Sequence, residues 1–202
     1  MIKLTSIIEN PISGEWGCED PDKIGLPILR TTNFTNEGNI NYNNIITRIV
    51  KKNNIKEKFL QFGDILLEKS GGSEQQPVGR VVFFENENNK YLCNNFITIL
   101  RLKNSDTYVN KFVFYSLFYN YIVGGTKKFQ NKTTGLHNLQ VKSFINTFQI
   151  KSYSIDKQQI IVKILDTINN LIKQNNDQLD KLNLLVKSRV IVEIPSLMEA
   201  GA

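Results

Sequence analysis

Between Ser154 and Val190 no glycine or proline interrupts the chain, and the nearest aromatic is Tyr153, just upstream. Apolar residues recur through this stretch with a seven-residue period. Leu165, Ile172, Leu179 and Val186 occupy one core position; Ile161, Ile168, Asn175, Leu182 and Arg189 occupy the other. That spacing is the seam of a coiled coil, with one polar residue, Asn175, near its middle. Ser154 is placed to cap the helix start, and Asp156 puts a carboxylate in the first turn, where the helix dipole favours it. Ile164, Leu171, Leu184 and Leu185 add a second apolar strip. About 35 helical residues make a rod of roughly 50 Å. Such a rod does not bury its own seam, so a partner helix is expected; the alternative is a helix folded back on its own domain.

Upstream the pattern changes. Ile45–Val50, Asp64–Glu68, Arg80–Phe84 and Asn95–Leu100 are short, β-branched or aromatic runs bounded by Gly, Asn or Lys, and each reads as a strand. Phe112–Tyr121 is a strongly apolar helix candidate closed by Gly124 and Gly125. The connections are too short for repeated βαβ units. The expected fold is therefore α+β, mixed and mainly antiparallel, followed by a long coiled-coil helix. The expected boundaries are a globular domain over 1–150, a helix over 151–190 and a tail over 191–202, where Pro195 breaks the helix.

Of the 202 residues, 41% are hydrophobic, enough for a real core. The excess of 25 Lys and Arg over 19 Asp and Glu suits a polyanionic partner without requiring one. The single histidine, His137, and two separated cysteines, Cys18 and Cys93, fall short of a zinc site and of a disulfide framework. Both thiols are expected to be buried or half-buried. The N-terminus lacks a signal-peptide core and no stretch spans a membrane, so a soluble, cytoplasmic protein without membrane association is expected.

Two polar segments stand out. Gly63–Ser73 with Pro77–Arg80 reads as strand, glycine-rich loop, strand, but it has no Gly-Lys pair and no following helix, so it is not a phosphate loop. It offers Lys69, Ser70, Ser73, Gln75, Gln76 and Arg80 on a permissive backbone. Gln matches adenine, Arg guanine, and Ser a phosphate. A solvated hairpin loop is the bland alternative. The second segment, Lys127–Leu139, presents Lys128, Asn131, Lys132, Thr133, Thr134 and His137, a mix suited to phosphates and base edges. His137 could equally be a structural histidine. Catalytic constellations are missing: no Asp/Glu-x-Lys triplet, no GxSxG or HExxH, and no Asn- or Asp-Pro-Pro-aromatic run. Asp64 and Glu68, four apart on a strand, share a face and are expected to pair structurally. No catalytic residue and no metal site is expected.

These residues resemble a family. Gly14–Gly17 through Leu26–Phe34 looks like the opening of a target recognition domain from a type I restriction–modification specificity subunit. Gly63–Leu66 with Val78–Arg80 resembles its central strands, Thr133–Leu139 a motif near its end, and Gln158–Ile161 with Leu165 and Asp166 the start of its spacer helix. The likeness covers about residues 1–190 and adds Arg30, Thr31 and Asn33 to the DNA-facing set. It implies a non-catalytic subunit that reads double-stranded DNA for a separate methyltransferase subunit and, through it, a restriction subunit. S-adenosylmethionine, magnesium and ATP would then be bound only by those partners. Complete members carry two recognition domains and two spacer helices paired antiparallel; this chain has one of each, and Ile150–Ile155 stands where a Pro-Pro pair is usual. A half-subunit forming an antiparallel homodimer, with Asn175 facing a polar partner, or a fragment of a rearranged gene would account for this. The contrasting reading is a self-associating coiled-coil scaffold without DNA function.

Overall fold

The computed structural model describes every residue except 52–54, 88–89, 104–105, 134–135 and 200–202; the side chains of 132–133 and 189–199 also lie outside the description. The chain begins with β1 (Ile2–Lys3), α1 (Leu4–Ile7), β2 (Ile12–Ser13), β3 (Leu26–Leu29) and β4 (Ile46–Arg48). Then follow β5 (Ile65–Glu68), β6 (Ser70–Gly72), β7 (Val81–Phe83), β8 (Leu92–Cys93), β9 (Ile97–Leu100) and α2 (Asn110–Ile122). The last elements are β10 (Gln130–Thr133), β11 (Leu136–Leu139), α3 (Val141–Thr147), β12 (Gln149–Ile150) and α4 (Ile155–Glu199). Each run read as a strand contains one, and the apolar helix candidate is α2.

The central sheet has the order β2-β9-β5-β7, antiparallel throughout. A second sheet, β4-β3-β8, holds the one parallel pairing among the described strands, β3 with β8. A third, β10-β11-β6, and the pair β1-β12 are antiparallel. The fold is thus mixed and mainly antiparallel.

Strand β5 is buried along its whole length because both faces of the central sheet are covered. On one face Leu66, Val82 and Ile99 lie side by side and pack with Leu29, Phe34, Leu60, Phe84, Cys93 and Ile97. On the other, Phe83 meets Phe114 of α2, ring centroids 5.6 Å apart. This explains why β5 reads as an unbroken apolar run instead of an alternating one.

The same period places Asp64 and Glu68 at either end of the Leu66 face. Asp64 takes two hydrogen bonds from Arg101, 2.8 and 2.7 Å, and Glu68 two from Arg80, 2.9 and 2.8 Å. The four-residue spacing of the carboxylates therefore makes two buried ion pairs bracketing an apolar strip. Hydrogen bonding to Asp64 holds the Arg101 pKa above its ordinary value. Burial opposes the charge of Arg80, but the hydrogen bonds and field of Glu68 more than offset it.

Compact packing divides the chain into Met1–Gln159 and a unit beginning at Ile160. The first unit extends past the sequence boundary at 150 because the first turn of α4 belongs to it. Buried Gln158 accepts from Val109 N–H at 3.0 Å and donates to the Thr107 and Tyr153 carbonyls at 2.9 Å each. Ser154 caps the helix as expected, accepting from Lys157 N–H at 3.4 Å. The helical backbone continues to Glu199, over Pro195, where the sequence analysis expected a tail. An interior proline costs about 3 kcal/mol or more, through a lost backbone hydrogen bond and a ring clash with the carbonyl four residues back, and the helical backbone runs on across it here.

One thiol departs from expectation. Cys93 is buried, but Cys18 is exposed. Cys18 exchanges backbone hydrogen bonds with Ile49, 2.8 and 3.2 Å, as an isolated bridge, and residue-type burial averages carry no information about such an edge position. Burial, with the Asp64 charge as a smaller contributor, pushes the Cys93 thiol up to about 12. Iodoacetamide at pH 8 should therefore alkylate Cys18 and spare Cys93 until the protein is denatured. Peptide mass spectrometry reads the outcome; equal labelling of both in the native protein would contradict this core.

Candidate nucleic-acid interface

The two polar segments, some 60 residues apart in sequence, meet in one sheet. Strand β6 carries Ser70–Gly72 and pairs with β11, which pairs in turn with β10. His137 lies opposite Gly72 on one side and Lys132 on the other. Ser70 donates a hydrogen bond to Asn138, fastening the two segments together. Strand β6 ends in a tight turn: Ser73 N–H donates to Gln76 carbonyl at 2.8 Å, and Ser73 Oγ accepts from Gln76 N–H at 3.0 Å. Gly71, at φ +99°, adopts a left-handed backbone that favours glycine, and a Cβ there would come within 3.4 Å of the Phe96 ring.

The expected DNA-facing residues fall into different places. Gln75 and Lys128 are exposed, the latter with its ammonium 5.1 Å from the Phe129 ring. Asn131 is exposed and accepts from Gln140 at 2.6 Å. His137 is half-buried, and among the described residues its Nδ1 has no hydrogen-bond partner. Thr31 is half-buried, and its carbonyl accepts from Arg80. Arg30 is half-buried and donates to the Asn44 carbonyl at 3.0 Å. Thr134 lies outside the described residues, as do the side chains of Lys132 and Thr133, whose backbone forms β10.

Two of the expected contacts have internal tasks instead. Arg80 is buried, and four of its five guanidinium hydrogens are spent inside the protein. Three go to Glu68 and the Thr31 carbonyl and one to the Phe34 carbonyl at 3.3 Å; the fifth points at the Gln76 amide, whose oxygen would accept it at 2.6 Å with the amide turned over. Asn33 is likewise buried: its Oδ1 accepts from Arg30 N–H at 2.9 Å and its Nδ2 donates to the Asn41 carbonyl at 3.1 Å. It closes the loop between β3 and β4. Both side chains thus have internal hydrogen-bond partners in this structure.

Lys69 links this sheet to a neighbouring cleft. Its backbone N–H donates to the Phe96 carbonyl and its carbonyl accepts from Leu139 N–H, both at 2.8 Å. Its ammonium reaches Ser13 Oγ at 2.7 Å, and burial lowers its pKa from the ordinary lysine value. Phe96, a half-exposed ring beside β6, was missed in the sequence because it sits inside a run that reads simply as strand. Among the described residues, no cluster of His, Cys, Asp or Glu could hold a metal ion, and no helix is long and apolar enough to cross a membrane.

The chain is thus a mainly antiparallel α+β unit carrying a polar three-stranded sheet, followed by a long helix. The chain matches the family described as type I restriction modification DNA specificity domain over residues 13–184, and it belongs to that family, the specificity part of such systems. The fold is similar to a type I restriction–modification chain solved in work on complex assembly and conformational transition, with TM-score 0.58 and 18% identity over 86% of this chain and 38% of that one. It is also similar to the S subunit from M. genitalium, with TM-score 0.56 and 15% identity over 86% and 39%. A third is the HsdS subunit from Thermoanaerobacter tengcongensis, with TM-score 0.55 and 18% identity over 86% and 37%. The chain thus spans well under half the length of these solved relatives. Comparison with curated proteins finds no match.

Proposed function

We propose that this chain is the DNA-reading half of a type I specificity subunit, acting in the cytoplasm on double-stranded DNA. The observation that carries the reading is the β10-β11-β6 sheet, which brings the two segments rich in base- and phosphate-matching side chains onto one edge. Gln75, Lys128 and Asn131 are exposed there, with His137 and the strand bearing Lys132 and Thr133 beside them. The chain selects the sequence, while a separate methyltransferase subunit, and through it a restriction subunit, performs the chemistry. S-adenosylmethionine, magnesium and ATP belong to those partners.

Two copies pair antiparallel through α4. A register placing Ile161 opposite Val186, Leu165 opposite Leu182 and Ile168 opposite Leu179 uses the seam end to end. It puts Ile172 opposite Asn175 in two adjacent central layers, so the asparagines of both copies lie one layer apart and within reach of each other. The two recognition units then sit at opposite ends of the pair, and the target is a palindromic pair of half-sites around a non-specific gap. Deleting the gene should erase one such methylated motif from the genome, read by sequencing modified bases. The purified chain should transfer no methyl group and cut no DNA until the methyltransferase subunit is added. Turnover by the chain alone sinks this reading; an asymmetric motif replaces the homodimer with a pairing of two different halves.

A further inference from the structure

A cleft of about 770 Å³ opens beside the edge sheet, between the segment after α1, the ends of β2 and β9, and α3. Lys69, Lys103 and Lys142 line it, against one carboxylate, Glu9. Ser13 and Thr98 stand opposite each other on its floor, paired across β2 and β9. Half-buried Lys69, between β5 and β6, reaches in to donate to Ser13, which leaves the serine hydroxyl hydrogen free to donate onward. Among the described residues no carboxylate pairs with Lys69, although it is half-buried. A desolvated ammonium without a counter-ion is costly, and an oxyanion placed there relieves the cost. Three cations in a concave wall also focus positive potential into the cleft.

The cleft is continuous with the proposed reading sheet. Leu139 N–H bonds to the Lys69 carbonyl, and β11 leads within two residues into α3, which carries Lys142. We propose that the cleft seats a backbone phosphate of the bound DNA, held by Lys69, Lys103 and Lys142 with the Ser13 and Thr98 hydroxyls. The inference rests on the DNA-reading function above and adds to it a contact that positions the duplex without reading its sequence.

The test is the salt dependence of binding of the full chain to a duplex of random sequence. Lys142→Gln should reduce the slope of log K against log salt by about one unit, and Lys103→Gln with Lys142→Gln by about two. Both residues are exposed, so the fold should survive, and Cys93 protection from alkylation verifies it. Lys151→Gln removes an equally exposed charge outside the cleft and should leave the slope at the wild-type value. Cleft variants that behave like Lys151→Gln while wild type binds normally overturn the inference alone. Wild type that binds no duplex overturns the DNA-reading function and the inference with it. Inorganic phosphate perturbing the Ser13 and Thr98 amide resonances, with an unchanged DNA slope in the variants, assigns the cleft to a free oxyanion and overturns the DNA contact.

Discussion

Ile172→Asp combined with Leu179→Asp should convert the protein into a monomer. Ile172, Leu179, Leu182 and Val186 are all large apolar side chains about half exposed on α4 (48%, 58%, 57% and 62%). A row of this kind on one helix face is a patch that stays in water only at a cost. Pairing with a second helix removes it. Each aspartate buried in that seam without a partner costs about 3 kcal/mol or more, and the pair contains four. The dimer constant should weaken by more than about a thousandfold, since about 4 kcal/mol already suffices for that. Light scattering at micromolar concentration reads the change, and circular dichroism checks that the unit over 1–159 remains folded. A variant that stays dimeric places the contact elsewhere. A monomeric wild type, still monomeric with the methyltransferase subunit bound, removes the homodimer from the proposal.

Arg80→Ala should cost stability before it costs recognition. The substitution leaves Glu68, whose side chain is 2% exposed, as an unpaired carboxylate in the core. Losing one partner of a buried pair is worth about 3–5 kcal/mol. For a protein of this size that lowers Tm by roughly 6–20 °C. The double variant Arg80→Met with Glu68→Leu removes both charges and should recover much of the loss, because an apolar pair of similar volume needs no desolvated counter-ion. Thermal unfolding followed by circular dichroism measures both. An Arg80→Ala protein of unchanged Tm that binds non-specific DNA normally but loses its target would return Arg80 to the reading face.

These expectations differ from the sequence reading at an instructive point. Three of the four central strands (β5, β7 and β9) and the apolar helix α2 were legible because residue type reflects burial directly, whereas β2, two residues long, carried no such signal; α4 was legible from its seven-residue period. Asp64 and Glu68 were also legible, since a spacing of four on a strand fixes a common face. Their partners were not: Arg101 directly follows β9 and Arg80 directly precedes β7, and nothing local distinguishes an arginine aimed at a base from one aimed at a carboxylate. Asn33 shows the same limit, its amide satisfied by loop carbonyls eight to ten residues away. The cleft at Lys69 was invisible for a related reason. Its lining comes from segments near residues 9–13, 69, 98–103 and 141–146, and only tertiary folding makes them neighbours.

The first strand carries a consequence for how the chain is made. Ile2 and Lys3 pair with Ile150 and Gln149, and Leu4 N–H bonds to the Phe148 carbonyl. On a ribosome adding about 5–20 residues per second, β1 waits roughly 7 to 30 s for its partner to be synthesised. During that interval Leu4, Ile7 and Ile8, all buried in the finished protein, have no α3 or β12 to cover them. Helix α4 needs only local contacts and forms in microseconds once it emerges. The nascent chain therefore passes through a stage in which its beginning is still sticky, and the closing of the β1-β12 pair is the event that ends its exposure to chaperones and aggregation.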